Sequence, residues 1–263
     1  MKIPLQSISL KKSQLSENQS ISYAQPYNTT VLYTSEETAK QKEQLQMSYC
    51  IALANDRYIV LAADSRSIIP TEDGIGQIDD AFRKIVYLPQ VDTTIITAGT
   101  NRIQKEENMP FIPITDFLSS IENELTEHST TAHEIIEYLV VSLQELIDNA
   151  DAINLLLIKN GEGYYADVKA RDYQINKMET IWRAGSCIGT VDRMYSDPTG
   201  LTISVPDFSL QDMIRFAKHA IASQIEYLYF TRQPSAIGGP IQICVIDKIR
   251  KTPPDFSFSE LRI

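Results

Sequence analysis

Ser48, Asp64 and Lys84 are the residues of this chain whose types and intervals suit nucleophilic chemistry. Ser48 precedes the apolar run Tyr49 to Ala54. Asp64 ends a second run, Tyr58 to Ala63, joined to the first by Asn55-Asp56-Arg57. That is the pattern of a hairpin with a carboxylate at its exit. Lys84 stands at the mouth of a further β-type run, Ile85 to Leu88. If these strands are neighbours, a hydroxyl, a carboxylate and an amine meet at one end of a sheet, as an activated nucleophile requires. Cys50 shares the strand face of Ser48 but lies inside an apolar run, so it reads as core.

The elements around these residues follow from periodicity. Thr93 to Thr97 ends in Ala98-Gly99-Thr100 and completes four short strands in succession. Ile114 to Glu127 and Ala132 to Ala150 then carry apolar residues at helical spacing, with Asp116 or Thr131 able to cap them. Ile153 to Lys159, the turn Asn160 to Gly163, Tyr164 to Lys169 and Glu179 to Ala184 restore the β pattern up to Gly185-Ser186-Cys187. Ile188 to Ser196 reads as helical. Ser209 to Phe230 reads as a helix capped by Ser209, with a stripe of Met213, Phe216, Ala217, Ala220, Ile221 and Ile225. Ile241 to Asp247 is a final buried strand after Gly238-Gly239-Pro240. Strands, two helices, strands, helices and a strand suggest two packed sheets with helices outside.

Residues 1–46 differ from the rest, being rich in Ser, Gln, Lys, Glu and Thr without a regular apolar period. They read as a polar N-terminal extension, disordered or not translated, in which Ser35 to Gln46 has a capped helical pattern. Lys42-Glu43 is encodable by the purine-rich AAGGAG of a ribosome-binding sequence just ahead of Met47, which makes Met47 a candidate start. The remaining residues, 47–263, form the working domain.

Composition bounds the chemistry further. The chain has 263 residues, 43% of them apolar, enough for a substantial core. Its net charge of -10 lacks the basic footprint of a nucleic-acid partner. Cys50, Cys187 and Cys244 show neither metal-ligand spacing nor a disulfide framework. His128, His133 and His219 fall on helical patterns and read as structural. No apolar run reaches the roughly 18 to 20 residues of a membrane span, and the N-terminus has no signal-peptide pattern, so the expectation is a cytoplasmic protein. Neither a cofactor pattern nor a glycine-rich phosphate loop appears.

In combination these residues resemble the proteasome-type N-terminal-nucleophile hydrolases. That family opens its mature chain with threonine and places an aspartate sixteen residues later in a VxAADSR-like run; a lysine follows at a (K/R)K(I/V) strand start. Here Ser48 to Asp64 spans sixteen residues, the run is Val60-Leu61-Ala62-Ala63-Asp64-Ser65-Arg66, and the lysine lies in Arg83-Lys84-Ile85. Ala98-Gly99 is similar to the segment whose N–H faces the oxyanion, Gly185-Ser186 to the family's Gly-Ser motif, and Gly238-Gly239 to its late Gly-Gly. The start Met47-Ser48-Tyr49-Cys50 resembles the Met-Thr-Tyr-Cys of the bacterial proteasome-like family Anbu (ancestral β subunit). The resemblance covers about residues 47 to 248.

The resemblance implies an α+β fold, a four-layer αββα sandwich, and peptide-bond hydrolysis through a Ser48 exposed at the chain start. Lys84 would favour the alkoxide, Asp64 would hold Lys84, the Gly99 N–H would hold the oxyanion and Ser186 would support the α-amine. It implies no cofactor, a peptide or protein substrate, and a homo-oligomeric ring or spiral, with any unfoldase partner unknown. Three departures stand out. Serine lacks the γ-methyl that restricts threonine's rotamer. The family's second aspartate would fall near Arg232 if Ser235 takes the family serine's place. Met47 stands before Ser48 where proteasome precursors carry glycine. Two other readings share these residues: a silent subunit that keeps residues 1–46, and an amidase acting on a small amide.

Overall fold

The computed structural model describes residues 48–69, 77–104, 110–128, 130–147, 151–185, 204–230, 237–250 and 252–259. Alternation along the first hairpin sets the layers. In β1 (Cys50–Ala54) and β2 (Tyr58–Ala63), Ile51, Leu53, Val60 and Ala62 point to one face, and Cys50, Ala52, Ile59, Leu61 and Ala63 to the other. Both faces are buried, so the strands read as continuous apolar runs. Their sheet adds β12 (Ile181–Ala184) on one side, and β13 (Ile241–Asp247) followed by β14 (Asp255–Ser259) on the other. The second sheet runs β11 (Asp172–Lys177), β10 (Glu162–Lys169), β9 (Ala152–Lys159), β6 (Thr93–Gly99), β5 (Ile85–Leu88).

Helices cover the outer faces. The helix α4 (Leu210–Phe230) lays Met213, Ala217, Ala220 and Ile221 on the first sheet. Across the second sheet lie α1 (Ile114–Ser120), α2 (Glu122–His128) and α3 (Ala132–Gln144), with Ile135, Leu139 and Leu143 packed against Ile95, Leu155 and Val168. The result is the expected αββα sandwich. Its inner layer is graded: Leu156, Ile158, Met178 and Trp182 fill much of it, while Cys50, Ala63, Ala98 and Ala184 stand where β1 starts and β2, β6 and β12 end. Small side chains let backbone and polar groups come close at that end.

Several expectations need correction. The helix expected from Ile114 to Glu127 is two, broken at Ile121, because Ser119 Oγ and Ser120 Oγ donate back to Thr115 O and Phe117 O and compete with the helical ladder. Asp116 lies inside the first turn of α1, which starts after Pro113 with no side-chain cap. The third helix closes at Gln144 rather than Ala150. The strands before it are not four in succession, since the short hairpin β3 (Ser67–Ile69) and β4 (Gln77–Asp79) intervenes. A further two-stranded ladder, β7 (Arg102–Ile103) with β8 (Ile112–Pro113), precedes α1. Nor is Ile241 to Asp247 final: β14 pairs on it. The segment Ile188 to Ser196 and residues 1–46 lie outside the described residues.

Thr131 does cap α3. Glu134 N donates to Thr131 Oγ1 at 3.2 Å, and the Glu134 carboxylate accepts Thr131 N and Thr130 N, each at 2.9 Å. These backbone bonds, Thr131's first, lower the Glu134 pKa from 4.5 to about 2. A depressed folded value means that the stabilisation is complete above the unfolded carboxylate pKa and is lost as pH falls through about 2. A carbon-detected NMR titration is expected to place the Glu134 midpoint near 2; a midpoint near 4.5 would show the box to be open in solution.

Candidate active site

Asp64 is the hub of the site. Its Oδ1 accepts Lys84 Nζ at 2.7 Å and Tyr49 N at 2.9 Å; its Oδ2 accepts Arg66 N and Gly238 N, each at 3.2 Å. Neither Lys84 nor Asp64 has exposed side-chain surface. A buried ion pair must offset several kcal/mol of desolvation per ion, and the three backbone donors satisfy the carboxylate lone pairs that Lys84 leaves free. The pair was expected along one sheet. Instead Lys84 comes from the start of β5 in the second sheet and Asp64 from the end of β2 in the first, so the ammonium bridges the two layers.

Ser48 lies two residues before the start of β1 and, by the alternation of extended backbone, falls on the inter-sheet side of Cys50. Its neighbour Tyr49 ties it to the hub twice: Tyr49 N donates to Asp64 Oδ1, and Asp64 N donates to Tyr49 O at 3.3 Å. Ser48 is fully buried, yet its Oγ has no hydrogen-bond partner among the described residues. Buried hydroxyls are nearly always paired; those of Ser67, Thr97 and Thr100 are also buried without a partner among the described residues, so what distinguishes Ser48 is its place next to the Asp64–Lys84 pair. On the other side of Ser48, Gly185 has φ +130°, and a Cβ there would lie 1.7 Å from the Ser48 carbonyl oxygen. Gly185→Ala must therefore displace either β12 or Ser48. It is expected to cost about 2 kcal/mol or more, read as a fall in the urea midpoint; an unchanged midpoint would contradict this close approach.

Gly99 closes β6 with φ +89°, and a Cβ there would meet Ala152 O at 2.3 Å. Thr97 N donates to Lys84 O at 3.0 Å, while Thr100 N donates to Ala152 O at 2.9 Å. Since N–H groups alternate sides along an antiparallel strand, that of Gly99 points to the β5 side, where Lys84 enters. Cys50 underlies the site, its Sγ donating to Thr97 O at 3.3 Å. Burial pushes its thiol up to about 12, with Lys84 pulling it down and Asp64 adding to the rise. It stays protonated, a core residue rather than a rival nucleophile.

Solved structures that match this arrangement of sheets and helices include three Anbu proteins. Anbu (ancestral beta-subunit) from Yersinia bercovieri is 14% identical, with a TM-score of 0.56 over 81% of this chain and 87% of its own. The Anbu (Gly-1) mutant from Hyphomicrobium sp. strain MC1 is 16% identical with a TM-score of 0.52, covering 82% of this chain and 88% of that one. Anbu from the same strain gives 15% and 0.53, over 81% and 88%. The fold is that of the Anbu proteasome-like proteins. No protein-family model and no curated protein matches the chain.

Within this Anbu fold the structure brings Ser48, Asp64, Lys84 and Gly99 to one end of the sandwich. Ser186, Ser235, Arg232 and Cys187 lie outside the described residues. Sequence reasoning missed Gln242 and Ser65, and it picked out Gly238 without its role as a donor to Asp64. The signal for Gln242 is a lone amide in the apolar strand IQICVID, but three of its four partners are backbone atoms, and all lie far away in the chain. A concavity of about 270 Å³ opens at the opposite end, where β6 starts and β9 ends. Its charges are already engaged: Lys248 Nζ bonds Asn55 O, and Asp247 accepts Ile249 N and Arg250 N. Among the described residues no helix is long and apolar enough to cross a membrane.

Proposed function

We propose that this chain is a proteasome-like peptidase that cleaves peptide bonds through Ser48 as an N-terminal nucleophile. The observation that carries the proposal is the placement of the fully buried, unpaired Ser48 hydroxyl next to Asp64, whose four donors are three backbone N–H groups and Lys84 Nζ. A free α-amine ordinarily titrates at roughly 7.7 to 8.0, so one residue can supply both the attacking oxygen and its base. In the chain that continues through Met47 this nitrogen is a peptide nitrogen and cannot act so. The working form therefore begins at Ser48, without residues 1–46 and Met47.

In that form the α-amine takes the hydroxyl proton as Ser48 Oγ attacks the substrate carbonyl. The Lys84 ammonium favours the alkoxide and, by like-charge repulsion, holds the amine's pKa down. The Gly99 N–H receives the oxyanion; one such donor is worth roughly 2.7 to 4 kcal/mol in the transition state. The protonated amine returns its proton to the leaving nitrogen as the C–N bond breaks, giving an acyl-Ser48 ester. The amine then takes a proton from water as the water oxygen bonds to the acyl carbon, and returns it to Ser48 Oγ as the ester bond breaks, which releases the acid and restores the site. Ser186 is proposed, from the resemblance, to hydrogen-bond the amine. A peptide or protein substrate, a homo-oligomeric ring or spiral and a cytoplasmic location belong to the same proposal.

The proposal is tested by rapid quenching of the chain beginning at Ser48 during turnover of fluorogenic peptides. An acyl mass on the peptide that starts Ser48-Tyr49 is the expected result. Release of small acyl amides alone would move the reading to an amidase, and no adduct with any substrate would move it to a silent subunit.

A further inference from the structure

We propose that Gln242 is a positioning residue for Lys84. Gln242 sits on β13 and is 4% exposed. Its Oε1 accepts Lys84 N at 3.0 Å and Ile85 N at 3.4 Å, while its Nε2 donates to Phe82 O at 2.6 Å and Ser65 Oγ at 3.0 Å. Both donors and both lone pairs of the amide are thus in use. Ser65 Oγ donates onward to Pro240 O at 2.5 Å, and Phe82 N donates to Ser65 O at 3.1 Å.

These bonds close a ring around the ion pair. Lys84 Nζ binds Asp64, Asp64 is joined to Ser65, Ser65 Oγ receives Gln242 Nε2, and Gln242 Oε1 holds Lys84 N. The lysine is held at its ammonium end by Asp64 and at its backbone N–H by Gln242, which in turn donates to Ser65, the residue after Asp64. The ladder of β5 with β6 starts at Ile85; the Lys84 carbonyl still accepts Thr97 N from β6, but the Lys84 N–H and the Phe82 carbonyl take their partner from outside the second sheet. Gln242 supplies that partner from the first sheet. The side chain thereby sets where Lys84 leaves the backbone, and through it how close the ammonium stays to the Tyr49–Asp64 hub.

The effect on rate rests on the hydrolase reading; the effect on Lys84 rests on geometry alone, and the experiment reads them separately. In Gln242→Met, of similar length but without polar atoms, amine-selective nitrogen NMR of the folded full chain is expected to show the Lys84 ammonium exchanging about tenfold faster or more. With the chain beginning at Ser48, kcat/KM falls roughly ten- to hundredfold through kcat rather than KM. The acid limb of its pH profile rises by about half a unit, because a displaced Lys84 depresses the α-amine less. Ser65→Ala, which removes a single partner, is expected to shift both readouts in the same direction by a smaller factor, and it carries the test if Gln242→Met does not fold. Unchanged ammonium exchange and pH limb in the folded variant would reduce Gln242 to a packing residue. An inactive wild-type chain whose Lys84 signal responds as described would refute the hydrolase reading and leave the positioning role standing.

Discussion

Replacing Asp64 with alanine is expected to lower the unfolding free energy by about 3–5 kcal/mol and to abolish any hydrolysis. The carboxylate accepts four hydrogen bonds, so its loss strands the fully buried Lys84 ammonium and removes an acceptor from the N–H groups of Tyr49, Arg66 and Gly238 together. Lys84→Met should cost less, roughly 1–3 kcal/mol, because the carboxylate it leaves keeps three backbone donors. Urea denaturation of the two variants and their double mutant measures this asymmetry and the coupling between them. Equal costs, or an Asp64→Ala cost below about 1 kcal/mol, would mean that water reaches the pair and that it is a surface-type salt bridge. The same variant removes one of the two ties between Tyr49 and residue 64 and leaves the backbone bond from residue 64 N to Tyr49 O.

Ser48→Ala is expected to separate activity from stability in the opposite sense. Removing a nucleophile costs on the order of 10⁴-fold or more in rate, yet the Ser48 hydroxyl makes no hydrogen bond among the described residues and is fully buried. A buried hydroxyl left unpaired costs about 1–3 kcal/mol, so its deletion should leave the fold unharmed or stabilise it slightly. A fall of the urea midpoint in Ser48→Ala would mean that the hydroxyl is bonded in solution and is structural. Thermal or chemical denaturation beside a peptidase assay on one preparation reads both quantities. A site that holds an unsatisfied group ready trades stability for function.

How much of this was legible before the structure depends on the distance over which each signal acts. Asp64 and Lys84 stand out because each ends or opens an apolar run, and the sixteen-residue interval from Ser48 reflects one hairpin. The capping boxes at Thr131 and Ser209 are local and were legible for the same reason; Asp212 N donates to Ser209 Oγ at 3.2 Å. The sheet that carries Lys84 was not legible, since a run such as Ile85 to Leu88 fits either layer and only the register of β5 on β6 decides. The strand β11 is largely exposed along Asp172–Lys177, so it carries no apolar alternation. The Phe-Ser alternation of β14 lies mostly outside the core and pairs on one edge only. Gln242 was hidden most deeply: its bonds to Lys84 N and Ile85 N span 158 and 157 residues and involve backbone atoms, which leave no trace in residue type.

Whether Ser48 carries a free α-amine in the working protein is read by intact mass combined with N-terminal sequencing of the protein from its native source. The predicted result is a chain that begins Ser48-Tyr49-Cys50. A chain that retains Met47, or that begins at Met1, would contradict it, because the nitrogen assigned as the base would then be a peptide nitrogen and the Asp64–Lys84 hub would be a structural bridge between the sheets.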